Sequence, residues 1–171
     1  AAAIAGRTKK IKIGTAVHIL PLGNPLRIAE EVATLDHVSG GRFEFGIGRS
    51  GLPEAYNGYK IPYTESREIF YESMEIIKKA FTEDTFSYSG KYNSYDEVCL
   101  TPKPLQKPHP PMRIAATTSE TFTTLGEMGI PIFVGVRGLS LSDVAEQVVL
   151  YRKALKKSNQ STGSILLRVP V

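Results

Sequence analysis

Apolar positions along the chain follow two different periods, and the switch between them recurs. Residues Lys12 to Leu20 form a short run of apolar and β-branched side chains, the pattern of a buried strand. Asn24-Pro25 follows, a capping side chain with proline at the first helical position, where no N–H is needed. Leu26, Ile28, Ala29, Val32, Ala33 and Leu35 then recur at helical spacing as a broad core-facing stripe, and Gly40-Gly41 stops it. Arg42 to Gly48 predicts a second strand. Pro53, Asn57-Gly58 and Pro62 make a loop of residues Gly51 to Tyr63. Thr64 is placed to cap a long helix whose apolar face is Ile69, Phe70, Met74, Ile77, Ala80 and Phe81.

Phe86 to Tyr92 alternates around a glycine and predicts a hairpin excursion. A proline-rich connection, Pro102 to Pro111, leads to a strand at Met112 to Ala116 and a short helix from Thr118 to Glu127. A strand at Ile130 to Val136 follows, then a helix from Ser142 to Lys157 with Val144, Ala145, Val148 and Leu155 inward. The final strand is Ile165 to Val169. Strand and helix in alternation predict an α/β fold of parallel strands with crossover helices, in one domain over residues 1–171. Five strands with three or four helices fall short of a closed (β/α)8 barrel, which takes about 250 residues.

Composition narrows the class of molecule. Of 171 residues, 42% are hydrophobic and 22% charged, enough for a core and against disorder along the whole chain. The lone Cys99 cannot form an internal disulfide, which favours a reducing compartment, the cytoplasm. The net charge of +4 is dispersed, with Arg7, Lys9, Lys10 and Lys12 the densest run and Lys156-Lys157 a second pair. Nucleic-acid surfaces cluster their basic residues, so no nucleic-acid partner is expected. No apolar run approaches the ~20 residues of a membrane span, and no metal site is expected. The opening Ala-Ala-Ala-Ile-Ala is too short for a signal sequence, and its basic residues follow it instead of preceding it. Both termini read like the middle of a longer sequence.

Gly46-x-Gly48-x-x-Gly51 follows a strand and matches the dinucleotide-binding fingerprint. That motif requires a helix to open at its third glycine, and Pro53, Asn57-Gly58 and Pro62 prevent one before Thr64. Two other readings stand level on these residues alone. One is ordinary turn chemistry with a surface arginine. The other is that Gly46 and Gly48 let a strand end approach a flat ligand, with Arg49 at the C-terminal edge where barrel active sites lie. A second cluster favours the ligand. Thr117-Thr118-Ser119-Glu120-Thr121 stands at a strand-to-helix junction, where hydroxyls and the helix dipole suit an anion. Paired with Arg49, it suggests a phosphate clamp.

Taken together, the chain resembles the bacterial luciferase-like monooxygenases. The resemblance rests on Ile13 to Val17, Pro25 to Asp36, Ser39 to Arg49 and Glu65 to Glu68. It continues through Phe86 to Gly90 and Pro104 to Pro111, leading into Ile114-Ala-Ala. These blocks run in order along nearly the whole chain. The resemblance implies part of a (β/α)8 TIM barrel, roughly strands 3 to 7, incomplete at both ends.

It also implies a flavin, FMN or in one branch a deazaflavin. Arg49 matches the family's phosphate-binding arginine, and Thr118 and Thr121 match its hydroxyl pair on the same phosphate. Ala16-Val17 falls where the family has a non-prolyl cis peptide behind the flavin ring. Thr117 aligns with a residue lining the flavin, and Gly48 with a reactive cysteine of luciferase that is missing here. His18, near the proposed ring, is weighed as an acid or base against the commoner role of a packed strand histidine. His37 and His109 are read as structural. The implied activity is a monooxygenase using reduced FMN and oxygen on a small organic substrate. NAD(P)H would supply electrons directly or through a flavin reductase, and a homo- or heterodimer is expected. A deazaflavin-dependent hydride transferase is the alternative enzyme. A flavin-binding fragment or partner subunit without catalysis is the third reading.

Overall fold

The computed structural model describes residues 1–135, 140–158 and 165–168. The chain forms two compact units, Ala1–Pro111 and Met112–Val171. The predicted Val136 and Val169 ends of two strands lie outside the described residues.

In the first unit, helix α1 (Ala2–Arg7) precedes two short strands, β1 (Ile13–Gly14) and β2 (His18–Ile19). Both pair in parallel with β3 (Phe43–Gly48), with Ile13 opposite Phe43 and His18 opposite Ile47. The single strand expected over Lys12 to Leu20 is therefore two segments. Between them the Thr15 hydroxyl takes the Gly46 carbonyl at 2.7 Å, an acceptor that a continuous ladder would give to a backbone N–H. The Ala16–Val17 peptide within the gap is cis.

Helix α2 (Pro25–Ser39) begins as its sequence dictates. Asn24 accepts a bond from the Arg27 amide, and proline occupies the first turn. Gly40 closes the helix at φ 65°, a left-handed conformation that suits glycine. Ile28, Ala29, Val32 and Ala33 are buried, while Leu26 and Leu35 are only partly covered. Asp36, on the same face, is fully buried because Gln106 donates to it from backbone and side chain at 2.8 and 2.7 Å. That pair fastens the proline-rich segment to the helix.

Arg42 anchors the other side of this unit. Its guanidinium donates to the carbonyls of Ala5, Thr8, Ile11 and Ser39 and to the Thr8 hydroxyl. One side chain thereby satisfies two carbonyls at the end of α1, those of Ala5 and the capping Thr8, and the Thr8 hydroxyl takes that of Ile4.

After β3 the chain makes one helical turn, α3 (Glu54–Asn57), inside the expected loop. A 3-10 turn at Tyr63–Glu65 then leads into α4 (Ser66–Thr82). Thr64 does not cap this helix. The cap position falls to Glu65, which makes no side-chain cap bond, and the Pro62 and Tyr63 carbonyls take the Glu65 and Ser66 amides. Phe70, Met74, Ile77, Ala80 and Phe81 are buried as expected, together with Ile76, and α4 packs on α2. Strands β4 (Phe86–Ser89) and β5 (Ser94–Val98) form the hairpin, antiparallel, with Ser89 opposite Ser94.

In the second unit, β6 (Met112–Ala116), β7 (Ile132–Gly135) and β8 (Ile165–Arg168) are parallel, with Ile114 opposite Ile132 and Ile132 opposite Ile165. Helices α5 (Ser119–Glu127) and α6 (Leu141–Lys157) make the crossovers and pack on each other. A capping box between Ser140 and Asp143 starts α6 one residue before the expected position. Its buried side chains are Val144, Tyr151 and Ala154. Ala145, expected inward, is exposed, since one residue's rotation carries it off that face. Tyr151 takes the space and donates to the Ile130 carbonyl at 2.9 Å.

Candidate functional site

The C-terminal end of β3 carries most of the marked residues of the first unit. Gly48 lies opposite Ile19, and the cis Ala16–Val17 peptide immediately precedes β2 on the same side of the pairing. Thr15, bonded to Gly46, holds that gap against β3. Ala16 and Val17 thus lie between Thr15, bonded to Gly46, and Ile19, which stands opposite Gly48.

Arg49 leaves β3 next, and neutral groups hold it. Its Nη1 donates to the Ser66 hydroxyl at 3.0 Å, and its guanidinium lies 5.2 Å from the centre of the Tyr63 ring. Ser66 is fully buried and passes its own proton to the Tyr63 carbonyl. Tyr56, also fully buried, sets its ring edge-on to Tyr63 at 5.2 Å and donates to the Arg49 carbonyl. Burial pushes the Tyr56 phenol above its ordinary value, which keeps it protonated as that donor; Ser66 and Arg49 pull the other way. Among the described residues no carboxylate ion-pairs with Arg49. The arginine is fixed at both ends, and none of its anchors is an anion.

His18 is the first residue of β2, between the cis peptide and Ile19. Its ring is 6.4 Å from that of Phe45, and its electrostatic neighbour is Glu31 of α2. Burial lowers its pKa, and Glu31 offsets part of that. These surroundings are those of a packed strand histidine. His37 bonds the Lys103 carbonyl at 2.9 Å and His109 the Pro110 carbonyl at 2.8 Å, both holding loop backbone. Cys99 is exposed.

In the second unit Thr117 is exposed at the end of β6, and Thr118 caps α5 by accepting from the Thr121 amide at 3.3 Å. The Thr118 and Thr121 hydroxyls lie 2.8 Å apart. Two hydroxyls and the positive end of a helix thus converge at one point, the arrangement that favours an anion.

Sequence reasoning missed Ser66, Tyr63 and Tyr56. The available signal was Ser66, a polar residue at the head of a strongly apolar helix face. Among the described residues there is no cluster of metal-ligating side chains and no helix long and apolar enough to cross a membrane.

Comparison with known proteins gives the family and the fold. The luciferase-like monooxygenase family matches residues 1–171. The alkanal monooxygenase alpha chain of the Kryptophanaron alfredi symbiont is 31% identical over 134 residues, 78% of this chain and 38% of that protein. Monooxygenase RslO1 from Streptomyces bottropensis superposes with a TM-score of 0.88 at 26% identity, covering 97% of this chain and 51% of that one. Two further solved structures share the fold at lower identity. The FMN-bound oxygenating constituent of 3,6-diketocamphane monooxygenase from Pseudomonas putida has a TM-score of 0.81 at 22% identity, over 94% of this chain and 48% of that one. A secondary alcohol dehydrogenase dependent on coenzyme F420 has a TM-score of 0.80 at 16% identity, over 96% of this chain and 51% of that one. The fold class is α/β, a part of the (β/α)8 barrel of these enzymes, and the chain spans less than half the length of the curated relatives it matches. It belongs to the luciferase-like monooxygenase family.

Proposed function

We propose that this chain forms the phosphate-binding part of a flavin-dependent monooxygenase that uses reduced FMN and molecular oxygen to oxidise a small organic substrate. The observation that carries this reading is Arg49, an arginine at a strand's C-terminal end whose charge is left uncancelled by its anchors. In the first unit Arg49 would hold the phosphate, and Ala16, Val17 and Gly48 would shape the ring site. In the second, Thr117, Thr118 and Thr121 would take the cofactor roles that the family resemblance implies. Gly48, opposite Ile19 at the end of β3, adds no side-chain bulk there, which suits a flat ring. Bound flavin supplies the electrons that activate oxygen, and the residues named here bind, orient and shield it. NAD(P)H, directly or through a reductase, would keep the flavin reduced.

The likeness to the F420-dependent dehydrogenase supports a second reading, hydride transfer with a deazaflavin and no oxygen. Arg49 suits either cofactor, since both carry a phosphate. The alpha and beta chains of alkanal monooxygenase among the relatives support a third, a subunit that binds flavin within a homo- or heterodimer without performing the chemistry.

Titrating the expressed chain with FMN and with the deazaflavin, followed by fluorescence quenching, separates these readings once oxygen consumption with reduced flavin is added. The expected result is FMN binding that weakens about 10-fold or more in Arg49→Ala, the loss of a hydrogen bond to a charged group. Binding without oxygen consumption leaves the subunit reading. An Arg49→Ala chain that binds like the parent would overturn the phosphate assignment.

A further inference from the structure

Arginine side chains near protein surfaces are commonly held by carboxylates, and a carboxylate that fixes a guanidinium also cancels its charge. Arg49 is held otherwise. The Ser66 hydroxyl gives its proton to the Tyr63 carbonyl, so it turns a lone pair to Arg49 and accepts from Nη1 at 3.0 Å. The Tyr63 ring offers its electron-rich face at 5.2 Å. Among the described residues Ser66 is the one hydrogen-bond acceptor for the side chain, which uses one of the five N–H groups of a guanidinium. The rest of the fork remains for a ligand.

Both anchors belong to the start of α4, Tyr63 in the 3-10 turn before it and Ser66 as its first residue. Ser66 is fully buried, and Tyr63 is braced edge-on by the fully buried Tyr56, so the holder is rigid. A ligand that meets a flexible arginine must immobilise it, and one that meets a held arginine escapes that cost.

We propose that Ser66 and Tyr63 are positioning residues that hold the Arg49 guanidinium extended and charged, and that they thereby give the site its preference for a phosphorylated flavin over the unphosphorylated ring system. This rests on Arg49 as the phosphate residue proposed above. The function of the pair is selectivity for the phosphate, and ring binding is independent of it.

The test compares FMN with riboflavin, which lacks the phosphate, by fluorescence quenching on the full chain and its Arg49→Ala, Ser66→Ala, Tyr63→Leu and Tyr63→Phe variants. Ser66→Ala and Tyr63→Leu are expected to raise the Kd for FMN about 5- to 10-fold with the riboflavin Kd unchanged. Tyr63→Phe should match the parent, because it keeps the ring face. A parallel loss of both ligands would mean that the two residues only prop the fold, and it would overturn the proposal. So would an unchanged FMN-to-riboflavin ratio in both variants while Arg49→Ala loses the preference. If Ser66→Ala does not fold, Tyr63→Leu, at a partly exposed position, decides the matter by the same ratio. An unchanged ratio in Arg49→Ala brings down the phosphate reading itself, a result distinct from failure of the positioning role.

Discussion

His18 is half-buried against Phe45, and burial holds its pKa below the ordinary 6.5, with Glu31 offsetting part of the effect. The unfolded chain therefore binds a proton at a pH where the folded chain still resists it. The contribution is fully present above about pH 6.5 and is lost as pH falls through the lower folded value. The melting midpoint is expected to drop less between about pH 7 and pH 5 in His18→Gln than in the parent. Equal drops in the two proteins would show that burial of this imidazole does not set the acid sensitivity. At this scale the sequence marks Arg49, Thr118 and Thr121 because each stands at a strand end or helix start. Ser66 leaves only a faint trace, a polar residue at the head of an apolar helix face, and Tyr63 leaves none, because their roles depend on a loop that returns from residue 49 to residue 66 and on a helix that starts after the threonine expected to cap it.

At the scale of elements, the amphipathic helices and the capped starts at Asn24-Pro25 and Thr118 follow from local rules, while α6 starts ahead of its expected Ser142. The split of β1 from β2 does not follow from such rules, since a side chain replaces a ladder bond inside a run of mostly apolar and β-branched residues. The hairpin is partly legible from its alternation, but what fastens its tip lies on α4. The Glu72 carboxylate accepts from the amides of Lys91, Tyr92 and Asn93 and from the Asn93 side chain, at 2.7 to 3.1 Å. Gly90 permits this approach, because a Cβ there would stand 2.5 Å from the Glu72 carboxyl carbon. Removing the carboxylate strands several amides at once. Glu72→Ala is expected to cost roughly 1.5–3 kcal/mol and to speed hydrogen exchange at residues 91 to 93. Unchanged exchange there would mean that water replaces the carboxylate without loss.

For the whole molecule, the excess of 21 basic over 17 acidic residues adds a weak general attraction for anions to the local one at Arg49. Raising the ionic strength from roughly 0.01 M to roughly 1 M shortens the Debye length from about 30 Å to about 3 Å. The Kd for FMN should rise several-fold over that range and the Kd for riboflavin should stay level; matching responses would exclude an electrostatic phosphate site. The α/β class is legible at this scale because parallel strands and crossover helices each leave a periodic trace. One strand also carries an arginine at each end, Arg42 before β3 and Arg49 after it, six residues of sheet apart. The first has its donors occupied by the chain's own carbonyls and the Thr8 hydroxyl, and the second spends a single donor, on Ser66, among the described residues. Identical substitutions at these two positions therefore belong to different categories of damage. A change at 42 strikes the protein's capacity to exist in shape, and a change at 49 strikes what a correctly shaped protein can recognise, so the two cannot be pooled as equivalent losses of positive charge.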